Sequence, residues 1–347
     1  MSEKAAKPAI DKTVVRRAVI AALCVVCAVC VFGAALFVHD RKKEFENSDK
    51  LSYAMGTVVD VKFYGKDTGS LVTTATELVP QLEDVISANK ESSALAMINR
   101  HSGSEASSEV LADVLRQCAR VSASSGGRFD VTVGALTSLW DFDSEKNKIP
   151  DAAEIKKALG TVGYEKIDLG STGFRTAKGQ QIDLGAVGKG FACDVLAEYF
   201  GKSGADGMVA SVGGSICVCG KRNKAGDKWR VAVRHPREEN KFLGTIKTEG
   251  GAFISTSGDY EKYFEKDGKR YHHILDAATG YPAESDLCSV TVICGSGLLS
   301  DALSTACFIL GSEKAAALAE EYGAAAILVD RDLNVKTVGE VDFEAAV

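Results

Sequence analysis

Apolar positions along the chain fall into three rhythms, and each predicts a different element. Over residues 18–38 they are nearly continuous: AVIAALCVVCAVCVFGAALFV carries no charge and is long enough to cross a bilayer as a helix. The polar stretch HDRKKEFENSDK, residues 39–50, then reads as a linker. From Leu51 the pattern alternates, and Val59, Val61 and Phe63 share one face of a strand. Between Gly69 and Ala88 the repeat turns helical, with Leu71, Leu78, Leu82 and Val85 on one side. Further helices are expected over 107–122, stopped by Ser124-Ser125-Gly126-Gly127, and from Asp151, directly after Pro150. Strands are expected at 229–233, 252–256, 271–275, 289–294 and 324–329, with a helix capped by Ser300 between the last two. Strands and helices mix without a regular βαβ rhythm, which predicts an α+β fold rather than a doubly wound sheet.

Composition narrows this picture. The chain has 347 residues, 46% of them hydrophobic, enough for one large or two modest domains with a real core. A net charge of -6 gives no reason to expect nucleic-acid binding, so an anionic ligand would need a local arrangement of donors. Arg16 and Arg17 precede the apolar run, with Lys4, Lys7 and Lys12 further back. That bias predicts a short cytoplasmic N-terminus at 1–17, an anchor at 18–38, a linker at 39–50 and an extracytoplasmic body at 51–347. The apolar core is longer than that of a signal peptide and no clean cleavage site closes it, so the anchor is expected to remain uncleaved. Ten cysteines, three of them in the anchor, have no framework spacing; Cys217 and Cys219 share a strand face and read as apolar core.

Candidate chemistry interrupts the apolar runs. In IDLGAVGKGFACD, residues 182–194, glycines and a lysine stand just before a helical repeat, where exposed N–H groups can seat a phosphate. The spacing is neither GxGxxG nor a P-loop, so a tight turn and a nucleotide site stay open. In FDVTVGALTSLWDF, residues 129–142, Gly134 suggests a strand end where backbone can approach a ligand, but taken alone the segment reads better as a strand-to-helix turn with Trp140 as core. Gly213-Gly214 inside a strand pattern implies a bulge or close packing. Asp267-Gly268 predicts a hairpin, and His272 and His273, adjacent in its second strand, face opposite sides. Asp301 and Thr305 are one helical turn apart, two oxygen donors of the kind Mg²⁺ accepts when water and substrate phosphate complete its shell.

In order and spacing these segments, together with AMGTVVD (54–60), SVGG, SGDY, HILD-x-x-TG-x-P and DALST, resemble the ApbE-like FAD:protein FMN transferases. The resemblance runs from about Leu51 to the C-terminus. It implies an ApbE-like flavin transferase fold, with mixed sheets and flanking helices, that moves FMN from FAD to a Thr or Ser hydroxyl of an acceptor protein and releases AMP. It also implies Mg²⁺ held by the Asp301 carboxylate, the Thr305 hydroxyl and the Ala186 carbonyl. FAD contacts map onto Met55, the Gly134-Ala135-Leu136 turn, Asp183, Lys189 and the Leu275 backbone. His273 is the implied base for the acceptor hydroxyl, a role an unperturbed histidine loses below about pH 6.5. The acceptor implied is a membrane or extracytoplasmic redox protein with an FMN-binding domain, and the location a bacterial cell membrane.

Two positions depart from the family pattern. Asn89 stands where an aromatic residue is usual, and an amide cannot stack on flavin or adenine as a ring does. Ala277 replaces the proline after HILD, which is expected to loosen that turn. Two rival readings use the same pocket: a Mg²⁺-dependent FAD pyrophosphatase giving FMN and AMP, and a membrane-tethered FAD-binding protein without chemistry. The retained Asp301, Thr305 and His273 speak against the second, since a carrier needs no base.

Overall fold

The computed structural model describes residues 44–142, 144 and 147–346. The N-terminus and the apolar run at 18–38 lie outside them; among the described residues no helix is long and apolar enough to cross a membrane. The linker ends earlier than expected. The first strand starts at Asn47, because residues 47–50 already pair with residues 61–64.

An eight-stranded sheet organises the molecule. Its strands are β1 (Asn47–Ala54), β2 (Thr57–Tyr64), β3 (Gly207–Val212), β4 (Ser215–Gly220), β5 (Ala252–Gly258), β6 (Leu287–Cys294), β7 (Ala325–Asp330) and β8 (Val335–Val338). They lie side by side in chain order, and every neighbouring pair is antiparallel. Helices are inserted between them: α1 (Gly69–Ile86), α2 (Ala94–Arg100), α3 (Glu109–Ser124), α4 (Gly134–Trp140), α5 (Ala152–Leu159), α6 (Gly188–Ser203), α7 (Gly297–Leu310) and α8 (Ser312–Glu321). The α+β expectation holds.

Alternation in β2 buries Val59, Val61 and Phe63 against α1 and α6, as the sequence predicted. The buried stripe of α1 is Val72, Ala75, Val79, Leu82 and Ile86. Of the predicted Leu71, Leu78, Leu82 and Val85, Leu82 is buried, while the other three lie half-buried at the edge of the stripe. The opposite sheet face packs on a three-stranded sheet of residues Trp229–Arg234, Phe242–Thr248 and Asp342–Ala345, through Trp229, Val231 and Ile246. A third apolar cluster joins α4, α5 and a hairpin, Tyr263–Lys266 with Lys269–His272.

Three local expectations change. Ser296, not Ser300, caps α7: its hydroxyl accepts the Leu299 N–H, while Ser300 is buried and donates to the Gly297 carbonyl. The expected strand 271–275 stops at His272, and Leu275 makes only an isolated bridge to Pro282. Gly213 and Gly214 are a two-residue turn between β3 and β4, Gly213 at φ +58°, rather than a bulge, and the close packing expected there holds, with Thr57 Oγ1 2.8 Å from where a Gly213 Cβ would stand.

Candidate functional site

The site is built where α6 and α7 cross. Their first turns touch glycine to glycine: a Cβ on Gly190 would lie 2.0 Å from the Gly297 carbonyl oxygen, and one on Gly297 2.1 Å from that of Gly190. Each helix then caps the other. From α6, Asp194 accepts the Gly297 N–H at 2.6 Å and the Leu298 N–H at 2.8 Å, with the Ser296 hydroxyl at 3.3 Å. From α7, Asp301 accepts the Gly190 N–H at 2.8 Å. Carboxylates at two helix N-termini meet orphan N–H groups and the positive ends of the helix dipoles. Burial pushes the Asp301 carboxyl up; the Lys189 ammonium, the Gly190 N–H and the Ser215 hydroxyl pull the other way.

Around this crossing the sequence candidates collect. Lys189 sits between the two glycines that open α6, and its stem passes Gly213, whose Cβ would stand 3.3 Å from Lys189 Cδ. Met55 holds a left-handed conformation (φ +53°) in the turn between β1 and β2, and its methyl reaches the buried Gly188. Thr305, one turn beyond Asp301, has its hydroxyl 3.1 Å from that of Ser257. Ala186 lies in the turn 184–187, closed by the Leu184 carbonyl accepting the Val187 and Gly188 N–H groups.

His273 continues from the hairpin. Its Nδ1 lies 3.2 Å from the Lys262 carbonyl. A carbonyl only accepts, so in the neutral ring Nδ1 carries the proton and Nε2 is left as the acceptor. Burial, then the nearby Lys189 charge, lowers its pKa to about 4. With that shift the half-buried ring is expected to stay unprotonated below the ordinary histidine value. The same ammonium acts on His273 and on Asp301, which puts both within reach of Lys189. His272 faces the other way, as alternation requires: it is buried, edge-on to Phe308, with Nε2 3.1 Å from the Ala283 carbonyl.

A cavity of about 180 Å³ extends the site and brings together Asn89, Gly134 and Asp183. Asp183 closes its own turn by accepting the Gly185 N–H at 2.8 Å. Gly134 opens α4 with Trp140 in the core, the strand-to-helix turn the sequence favoured, and the Gln181 backbone lies 2.8 Å from where its Cβ would stand. Ala135 follows it, whereas the Leu136 and Leu275 side chains are buried in the third apolar cluster, leaving only their backbones to meet a ligand. The turn at Ala277 is not loose: Asp276 accepts the Ala278 N–H on its side chain and the Thr279 and Gly280 N–H groups on its carbonyl.

Two residues escaped the sequence reading. Asn99 lines the cavity and grips the Ile182 backbone in both directions, Nδ2 to its carbonyl at 2.8 Å and Oδ1 from its N–H at 2.9 Å. Asp194 reinforces the Ser296 cap of α7 by accepting the Gly297 and Leu298 N–H groups. An acid one turn after Gly190 was the only local sign of it; its partners are about a hundred residues away.

The sequence model of the ApbE family matches residues 55–328. The chain belongs to the ApbE family. It is 32% identical to the FAD:protein FMN transferase of Treponema pallidum, over 92% of this chain and 93% of that protein. To that of Salmonella typhimurium it is 35% identical, over 80% and 83%. Among solved structures, the ApbE protein of Thermotoga maritima superposes with a TM-score of 0.76 at 29% identity, covering 84% of this chain and 97% of that one. The apo flavinyl transferase ApbE of Pseudomonas stutzeri gives 0.74 at 29% identity, over 87% and 95%.

Proposed function

We propose that this ApbE-family chain is an FAD:protein FMN transferase that moves FMN from FAD onto a Thr or Ser hydroxyl of an acceptor protein and releases AMP. The observation that carries the reading is the Lys189-Gly190 turn, whose Gly190 N–H Asp301 accepts at 2.8 Å, with His273 near enough to feel the Lys189 charge and its Nε2 left as an acceptor: an anion-seating cation, a candidate base and a buried acid. His273 Nε2 takes the proton of the acceptor hydroxyl. That oxygen attacks the FMN phosphorus, a new P–O bond forms, and the bond to the AMP oxygen breaks. Lys189 holds pyrophosphate charge, and binding of that charge relieves its repulsion of a proton on His273.

A divalent cation fits the residues present. The donors offered by Asp301, Thr305 and Ala186 are all hard oxygens with a single carboxylate, which suits Mg²⁺ rather than Zn²⁺. Such a cation supplies charge neutralisation at the pyrophosphate. We further place the chain in a bacterial cell membrane, held by residues 18–38 with the catalytic body extracytoplasmic, acting on a redox protein with an FMN-binding domain.

The test incubates the full chain with FAD, Mg²⁺ and a candidate acceptor domain, followed by in-gel flavin fluorescence after denaturation. A fluorescent acceptor band that needs both FAD and Mg²⁺ supports transfer. Free FMN and AMP without labelled protein would make the chain a pyrophosphatase.

A further inference from the structure

We propose that Trp140 is a positioning residue for His273, tying the helix at the FAD cavity to the hairpin that bears the base. The proposal rests on the reading of His273 as base. Trp140 is the last residue of α4, whose first residue, Gly134, lines the cavity. Its indole N–H donates to the Gly280 carbonyl at 2.8 Å. The ring stacks on Tyr271, centroids 6.0 Å apart at 27°, and meets Tyr281 edge-on at 5.8 Å and 73°. Phe264 also stacks on Tyr271, at 5.2 Å and 13°, and Phe142 joins it to Trp140. Tyr271 precedes His273 by two residues, and Gly280-Tyr281 follow it by seven and eight. One indole therefore grips the chain on both sides of the base.

The hairpin needs that grip. Its two strands pair with each other and with no further strand among the described residues, and an isolated two-stranded ribbon is marginal in water. Side-chain contacts must fix its position. On one side these are the aromatic stack; on another, Arg270 lies 3.7 Å from Asp259, which a bidentate Arg237 already holds. The Nδ1 contact of His273, the Lys262 carbonyl, belongs to the same segment, so a shift of the hairpin carries Nε2 with it. A plain core tryptophan would need only volume. Here the N–H is committed to Gly280, which sits at φ +77° with no room for a Cβ, 2.7 Å from Ile155 Cγ2.

The test is a double-mutant cycle on the full chain, using FAD, Mg²⁺ and the acceptor domain that the wild type labels. Trp140→Phe keeps a ring and loses the N–H; Trp140→Leu loses both. A misplacement near 1 Å costs about 10²-fold, so kcat should fall roughly tenfold for the first and about 10²-fold for the second, with KM for FAD within about threefold of wild type. Added to His273→Ala, neither change should lower the residual rate further, because the group through which Trp140 acts is gone. Losses that multiply, or wild-type kcat in Trp140→Phe, overturn the proposal. Should Trp140→Leu fail to fold, the Trp140→Phe arm completes the cycle alone. Wild-type transfer by His273→Ala alone would bring down the base assignment, and this proposal with it, before any Trp140 variant is read.

Discussion

Alanine at Gly190 and alanine at Gly201 should change stability in opposite directions, although both glycines lie in α6. Helix propensity alone favours alanine by about 0.5–1 kcal/mol at either position. Gly201 has nothing within 4 Å of a virtual Cβ, so Gly201→Ala should gain that amount. At Gly190 the same methyl would stand 2.0 Å from the Gly297 oxygen and 2.7 Å from Asp301 Cβ. Ordinary C···O approach is about 3.3 Å, so the helices must part by roughly 1 Å. The 2.8 Å bond from the Gly190 N–H to Asp301 then stretches beyond hydrogen-bonding distance. Overpacking costs about 1–3 kcal/mol and a lost charge-assisted bond about 1.5–3, giving a net loss of roughly 2–5 kcal/mol after the propensity gain. Thermal unfolding followed by circular dichroism should show Tm falling by about 4–10 °C for Gly190→Ala and rising slightly for Gly201→Ala. Equal, upward shifts in both would refute the glycine-to-glycine crossing.

Three further outcomes follow from the same geometry. Asp301→Ala should abolish divalent-dependent turnover, measured as AMP release against Mg²⁺ concentration, while Thr305→Ala keeps part of it because water can replace a neutral hydroxyl. His273→Ala should cut covalent flavin formation by about 10²–10⁴-fold with FAD binding intact. His272→Ala should instead lower Tm, since that ring packs on Phe308 inside the core, and leave the chemistry near wild type. A histidine base works only unprotonated, and with its pKa held at about 4 the ring stays neutral down through pH 5. The kcat/KM profile should therefore be level from pH 7 to about 5 and fall only as pH nears 4; a break near 6.5 would contradict the burial of His273 beside Lys189.

The parts of this account that sequence revealed are those set by neighbours in the chain. Alternation placed Val59, Val61 and Phe63 inward, Asp267-Gly268 made its hairpin turn, and His272 and His273 parted to opposite sides. The motif resemblance carried the candidate residues to Lys189, His273, Asp301 and Thr305, and the fold brings the first three to one neighbourhood. What stayed hidden depends on contacts across long separations. Ser300 looked like a cap because the true cap, Ser296, is reinforced by Asp194 from another helix. That the Gln181 backbone packs against Gly134 where it lines the cavity could not be seen from a turn so distant in the chain. In α1 Leu82 was placed correctly, but Leu71, Leu78 and Val85 drew attention from Val72, Ala75, Val79 and Ile86, because several apolar residues stand side by side there and only the packing chooses between them. The lowered pKa of His273 could not be read at all, since burial and Lys189 reach it only through the fold.

Transfer, the central claim, is tested most directly by counting two products in one reaction. Full-length protein, FAD and Mg²⁺ are incubated with an acceptor domain; AMP is quantified by chromatography and acceptor-bound FMN by intact-protein mass spectrometry. Transfer predicts one AMP for each FMN bound through a Thr or Ser oxygen, with both products lost together in His273→Ala. AMP accompanied by free FMN, with the acceptor mass unchanged, would contradict it.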